Sequence, residues 1–125
     1  KLKRRVGGDD VTVAEAAFKL GNLFREQTLP SDAERWYLEV LRIFRLVLGE
    51  GNEVFADVYS VLGDVLARQG KLEEAGRMHK LALRVYRRAS EGDSARVAEA
   101  LNSFGTTLHL QGLHDQAMKK LEEAY

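Results

Sequence analysis

Cysteine is absent from this 125-residue chain, and proline occurs once, at Pro30. Without cysteine, a disulfide framework and a thiolate zinc site are excluded, and the composition fits a reducing compartment. A single proline and the lack of a serine- or glycine-rich stretch argue against a flexible linker between domains. We therefore expect one soluble unit that resides in the cytoplasm.

An excess of one charge sign is also absent, since 19 Lys and Arg residues balance 19 Asp and Glu residues. A chain with no net charge has no overall field to attract nucleic acid or an anionic membrane surface. No apolar run approaches the roughly 20 residues needed to cross a bilayer. The basic residues 1–5 are not followed by the apolar segment of a secretory signal. We therefore expect neither a nucleic-acid partner nor a membrane.

What the chain does contain is an internal repeat. Gly21 returns 42 positions later as Gly63, and 42 positions after that as Gly105. A fixed period of this length is typical of a stack of equivalent units, and such stacks present an extended surface to a partner. Alanines recur at the same spacing on either side of the glycines: Ala14, Ala56 and Ala98 before them, and Ala33, Ala75 and Ala117 after them.

The spacing of apolar residues predicts two helices in each unit. Ala17, Leu20 and Phe24 stand three and four positions apart, and the equivalent positions of the other units are again apolar. Short turns between the two helices make them antiparallel neighbours. We predict helices over residues 11–27, 31–48, 53–69, 73–89, 95–111 and 115–125.

Side chains that can accept the free amides of a first helical turn predict where these helices begin. Asp10, Asn52 and Ser94 occupy equivalent positions, and we expect all three to be N-caps. Ser31 and Glu34 have the spacing of a capping box at the start of the second helix.

The repeated glycine lies inside the first helix of each unit, where glycine costs about 1 kcal/mol relative to alanine. Small residues also stand near the start of each second helix. We expect these small residues to let the two backbones approach closely, so that a larger side chain at Gly63 would splay the hairpin.

Together these residues resemble the tetratricopeptide repeat, whose eight marker positions recur through almost the whole chain. The first unit has Ala17, Leu20, Gly21, Phe24, Ala33, Tyr37, Val40 and Arg45 at these positions. The second has Tyr59, Leu62, Gly63, Leu66, Ala75, His79, Ala82 and Arg87, and the third has Leu101, Phe104, Gly105, Leu108, Ala117, Leu121 and Ala124. The long period is similar to that of kinesin light chains and of the arrays attached to signalling NTPases.

The resemblance implies an all-α fold in which αα-hairpin repeats stack into a right-handed superhelix, the TPR solenoid. Residues 1–125 then form a single array. Residues 1–8 are the tail of a preceding repeat, and the three repeats cover 11–52, 53–94 and a truncated 95–125. We therefore expect the chain to be a piece of a longer protein.

In this family the first helices line a concave groove, which implies a set of partner-binding residues. These are Glu15, Phe18, Asn22, Arg25 and Glu26, then Asp57, Ser60, Asp64, Ala67 and Arg68, then Glu99, Asn102, Thr106 and His109. The asparagines would bond to an extended peptide backbone and Phe18 would supply an apolar contact. Carboxylates outnumber cations in this set, which favours a basic or polar guest. The alternative is a merely solvated polar face.

The function that the resemblance implies is a protein–protein interaction scaffold without a cofactor. The sequence has no phosphate-binding loop, nucleophile elbow or His-Glu-x-x-His motif, so we expect no enzyme activity. A ligand-sensing regulatory array of a larger signalling protein, a structural spacer and end-to-end self-association of the fragment remain alternatives.

Two further groups of residues favour structural roles. His109 and His114 are separated by the turn at Gly112, so we expect no metal site there, and we expect His79 to be half-buried at a packing position. The arginines of the second helices have Glu39, Glu73 and Glu74 nearby, which indicates a solvated face held by weak ion pairs.

Overall fold

The computed structural model describes residues 8–48, 53–90 and 95–124. These residues form α1 (Gly8–Glu26), α2 (Pro30–Leu48), α3 (Glu53–Arg68), α4 (Leu72–Ser90), α5 (Ala95–Leu110) and α6 (His114–Ala124). The described ranges contain no strand, and the predicted all-α helical repeat is confirmed. None of these helices combines the length and the apolar character needed to span a membrane.

The helices pack as three consecutive hairpins. The most extensive contacts join α1 to α2, α3 to α4 and α5 to α6, and the hairpins meet where α2 packs on α3 and α4 packs on α5. One apolar core runs through all of them, with Tyr37, Val40, Phe55, Leu62 and Val65 almost entirely buried. The hairpins therefore stack into one array. The boundaries proposed for the repeats remain a prediction, and residues 1–7 lie outside the described ranges.

The repeated glycine is where the two helices of a hairpin come closest. A Cβ atom added to Gly21 would lie 2.6 Å from Cε1 of Tyr37, and one added to Gly63 would lie 2.7 Å from Cε1 of His79. At Gly105 the nearest atom would be Cγ of Leu121, at 2.8 Å. These distances are shorter than carbon–carbon contact allows. Glycine is therefore required at these three positions, because the facing side chain leaves no room for a Cβ atom.

Gly76 has no such constraint, although it is also buried and helical. An added Cβ would lie 3.6 Å from Oε1 of Gln111 and 3.8 Å from Cε1 of Phe104, which is ordinary contact. We predict that Gly63→Ala lowers the free energy of unfolding by about 1–2 kcal/mol, because overpacking outweighs the gain in helix propensity. Gly76→Ala should raise it by about 0.5–1 kcal/mol. Chemical denaturation of both variants checks this, and equal shifts would contradict the packing role of Gly63.

The turn inside each hairpin has the same hydrogen bonds three times. The amides of Thr28, Gly70 and Gly112 each bond to the carbonyl three residues before, and the next amide bonds five residues back. This is the Schellman pattern, which places one residue in the left-handed region and favours glycine there. Gly70 and Gly112 have φ values of 83° and 84°, whereas the first turn uses Thr28 at 57°. Pro30 is the first residue of α2, a position where its missing amide hydrogen costs nothing.

A β-branched residue at positive φ is strained, and this strain should be measurable. We predict that Thr28→Gly raises the free energy of unfolding by about 1 kcal/mol, because glycine has no Cβ to clash in that conformation. Thr28→Ala is the matched control, since it keeps a Cβ at the same φ and should give a smaller gain. An equal gain from both variants in a denaturant titration would show that the threonine side chain, rather than φ, was responsible.

Two predicted helix starts are wrong. Asp10 is not an N-cap, because α1 begins two residues earlier at Gly8. As an acidic side chain in the first turn it still suits the positive end of the helix dipole. Ser31 and Glu34 do not form a capping box, because Pro30 already begins α2 and both side chains bond to Gln69 in the next hairpin. Asn52 and Ser94 lie outside the described residues, and α3 and α5 begin immediately after them.

The apolar face of α1 differs from its equivalents in burial. Val13, Leu20 and Leu23 are exposed by 36–54%, whereas the equivalent Phe55, Leu62 and Val65 are exposed by at most 2%. The face of α3 is buried because α2 packs against it. The described ranges contain no helix before α1 to do the same.

Candidate functional site

The candidate groove residues lie on the first helices α1, α3 and α5, and none is fully buried. Half-buried side chains dominate on α1 and α3: Phe18, Asn22, Arg25, Asp57, Ser60, Asp64 and Ala67. The others are exposed: Glu15, Glu26, Arg68, Glu99, Asn102, Thr106 and His109. We call the surface formed by these two sets of residues the inner face.

A cavity of about 390 Å³ lies between α1 and α3 on the inner face. Its apolar walls come from both helices and from the second helix of the first hairpin: Val11, Phe18, Phe44, Val54 and Val58. The charged groups that line it are Glu15, Asp57 and Lys19. The ring of Phe18 is held against the buried ring of Tyr37, with centroids 5.6 Å apart. The cavity thus combines an apolar interior with charged groups that are mainly acidic.

A second cluster surrounds the hydroxyl of Tyr37. This hydroxyl donates to Oδ1 of Asn22 at 2.6 Å. Burial raises the pKa of Tyr37, and the nearby Arg25 guanidinium opposes that rise. Burial also raises the pKa of Asp64, against the influence of Arg25 and Arg68. Arg25 of the first hairpin therefore interacts electrostatically with Asp64 of the second, and the carbonyl oxygen of Asn22 is already engaged.

A third cluster lies where α3 meets α5, and sequence reasoning missed its central residue. The hydroxyl of Tyr86 donates to Oδ1 of Asp57 at 2.6 Å. Burial, followed by this bond, raises the pKa of Tyr86, and the charges of Arg96 and Glu99 also act on it. Comparison of the repeats could have identified this residue, because Tyr86 stands 42 positions after Phe44 and adds a hydroxyl there. A hydroxyl added at an otherwise apolar position needs a partner.

The α5 part of the inner face is open to solvent. The hydroxyl of Thr106 donates a hydrogen bond to the backbone carbonyl of Asn102, at 3.0 Å. The side chain of Asn102 is exposed, as is that of Glu99. Of the two asparagines expected to contact a peptide backbone, Asn102 is therefore the more accessible.

His79 is fully buried, so the expected half-burial is wrong. Its side chain is 1% exposed, and neither ring nitrogen has a hydrogen-bond partner among the described residues. Nε2 lies 3.6 Å from Oδ1 of Asp64, which is too long for a hydrogen bond. Burial lowers the pKa of His79 from 6.5 to about 4. The imidazole is therefore neutral in the folded protein and serves as packing against Gly63.

This lowered pKa makes stability depend on pH. The unfolded chain binds a proton at His79 below a pKa of 6.5, whereas the folded chain binds it only near 4. Stability should therefore fall as the pH is lowered through this window, by roughly 2–3 kcal/mol at about pH 4.5. The raised pKa of Asp64 acts in the opposite direction and is shared by wild type and variant.

We predict that His79→Leu removes this part of the pH dependence. Leucine is tolerated at the equivalent position, where Leu121 packs on Gly105. The free energy of unfolding, measured by denaturant titration at pH 7.5 and about 4.5, should fall less in the variant than in the wild type. Identical pH slopes for the two proteins would show that His79 is not the group responsible.

Metal binding finds no support in the described part of the chain. Its His, Asp and Glu side chains form no group of three or more that could hold an ion.

The fold and the inner face define a class of protein: an all-α array of stacked helical hairpins with an accessible surface along its first helices. The tetratricopeptide repeat family model matches residues 54–125, and the chain belongs to this family. Its sequence is similar to that of a kinesin light chain-related protein.

Individual relatives support this assignment. The chain is 25% identical over 118 residues to the protein kinesin light chain-related 1 of Arabidopsis thaliana, covering 94% of this chain and 19% of that protein. The structure of BtubC (BKLC) from P. vanneervenii matches with a TM-score of 0.83 and 26% identity, over 90% of this chain and 45% of that one. The tetratricopeptide repeat domain of Arabidopsis FLU has the same fold, with a TM-score of 0.80, 23% identity and coverage of 92% and 93%. The chain thus spans about a fifth of the curated relative.

Proposed function

We propose that the inner face binds a segment of another protein and that an apolar side chain of this segment enters the cavity between α1 and α3. Tetratricopeptide repeat domains generally mediate protein–protein interactions. The observation that carries the proposal here is the cavity, whose 390 Å³ falls within the range of small binding pockets. Its apolar walls are accessible, and anchoring side chains in such pockets dominate the affinity of many interfaces.

The charges beside the cavity favour a basic or polar segment. Glu15 and Asp57 line it together with a single cation, Lys19. Further along, Arg25 and Arg68 interact with Asp64 and so partly cancel its charge. Complementary charge contributes mainly to specificity and to the rate of association. The segment we expect therefore has lysine or arginine next to its apolar anchor.

Catalysis and a cofactor play no part in this proposal. If no peptide binds to the inner face, a ligand-sensing array and a structural spacer are the alternative functions. Self-association is a further alternative. The apolar face of Val13, Leu20 and Leu23 is exposed and would provide a surface that packs against a second copy.

Selection from a displayed library of random peptides tests the proposal. We predict a consensus with one large apolar residue beside lysine or arginine. Phe18→Ser should weaken binding of the selected peptide by at least about tenfold, because the cavity loses an apolar wall. Glu15→Lys should weaken it by about threefold to tenfold through charge alone, and Glu15 is exposed and tolerant of change. Leu46→Ser is the control, since Leu46 is 69% exposed on α2 and does not line the cavity.

Asp57 and Asn22 are unsuitable for this test, because each accepts a hydrogen bond from a largely buried tyrosine. Their replacement would change stability as well as binding. Thermal unfolding of each variant separates the two effects. Unchanged affinity in folded Phe18→Ser and Glu15→Lys proteins would refute the proposed site.

A further inference from the structure

The second helices line two grooves whose lining residues are all distinct from those of the inner face. The first outer groove, of about 380 Å³, lies between α2 and α4 above α3. The second outer groove, of about 710 Å³, lies between α4 and α6 above α5. The two are repeat equivalents: Leu41, Arg45, Leu62 and Leu66 line the first, and Leu83, Arg87, Phe104 and Leu108 line the second. Each groove can therefore be compared, position by position, with its repeat equivalent in the same chain.

Four equivalent positions change the charge between the grooves. Two carboxylates are lost and two ammonium groups are gained in the second outer groove. The pairs are Glu34 and Gly76, Leu38 and Lys80, Glu74 and Gln116, and Met78 and Lys120. In the first outer groove, two glutamates balance Arg45 and Arg77. The second outer groove instead is lined by five cations and one carboxylate, Glu73.

The cations of the second outer groove are only partly neutralised. Arg87 and Lys120 pair with Glu123, at 3.3 and 3.6 Å. Lys120 also lies over the ring of Phe104, 5.5 Å from its centroid. Arg77, Lys80 and Arg84 form no ion pair with any residue that the structure describes. Like charges three and four positions apart on one helix repel each other. A bound anion would relieve that repulsion.

Gly76 lines this groove and brings no side chain into it. In the first outer groove, Glu34 fills the equivalent place and binds Nε2 of Gln69 at 2.8 Å and Nζ of Lys71 at 3.3 Å. A Cβ added to Gly76 would be in ordinary contact with Gln111 and Phe104, so close approach of the helices does not require this glycine. Leu83, Phe104 and Leu108 also line this groove and form its apolar floor.

We propose that the second outer groove is a docking site for a short acidic segment of another protein, with carboxylates against Arg77, Lys80 and Arg84 and an apolar side chain on the floor. Arg77 and Arg87 are ten positions apart, which is roughly 15 Å of helix and the length of about five extended residues. Glu73 and Glu123 at the groove disfavour a polyphosphate, and the chain has no net charge to attract one. The site differs from the inner face in both location and charge.

Fluorescence anisotropy with a labelled peptide of about seven residues, made of Glu and Asp around a central Leu, tests this proposal. We expect binding with a Kd below about 1 mM that weakens as salt is added. Lys80→Leu combined with Lys120→Met introduces the residues of the first outer groove and should weaken binding about tenfold. Gly76→Glu should have a similar effect, because it returns a carboxylate to the floor.

The matched control removes two positive charges elsewhere on the second helices, by Arg35→Gln and Arg88→Leu. Neither residue lines the second outer groove, so affinity should change less than about threefold. Circular dichroism melts confirm that each variant is folded. The proposal is overturned if the wild type does not bind, if the control loses as much affinity as Lys80→Leu with Lys120→Met, or if a single-stranded RNA binds this groove more tightly than the peptide.

Discussion

The close contact between the glycine of each first helix and the facing side chain of each second helix is the constraint on which the array depends. Gly21, Gly63 and Gly105 face Tyr37, His79 and Leu121, three side chains with different chemistry. The contact therefore requires a glycine on the first helix and a large side chain on the second. The identity of that side chain then adds a local property: Tyr37 reaches Asn22 with its hydroxyl, whereas His79 is buried as a neutral ring without a hydrogen bond.

Because the hairpins repeat, the first helices together form the inner face and the second helices line the outer grooves, and these two surfaces carry different charge. Glu15 and Asp57 lie beside an apolar cavity on the inner face, while Arg77, Lys80 and Arg84 line the second outer groove. A net charge of zero hides this separation. A balanced composition indicates no single dominant field, but binding depends on where charges converge.

Helix positions were predictable because the pattern that reveals them lies within each helix. Apolar spacing placed all six helices within three residues of their observed ends. Helix starts were less predictable, because Ser31 and Glu34 could satisfy either their own first turn or a partner in the next hairpin. In the structure they bind Gln69, 38 and 35 positions away. Thr28 shows the same limit, since only its repeat equivalents Gly70 and Gly112 mark the position as left-handed.

The sequence by itself determined the period, the helices, the family and the set of residues that could form the inner face. Each of these follows from the spacing of residues along the chain. Tertiary structure decided how those residues are used. It assigned Asn22 and Asp57 to buried tyrosines, placed Phe18 in a cavity wall and placed Gly76 in the lining of one outer groove. Each outcome depends on residues from different helices, 15 positions apart for Asn22 and Tyr37 and 29 for Asp57 and Tyr86. Packing sets their approach, and it has no signature in a single segment.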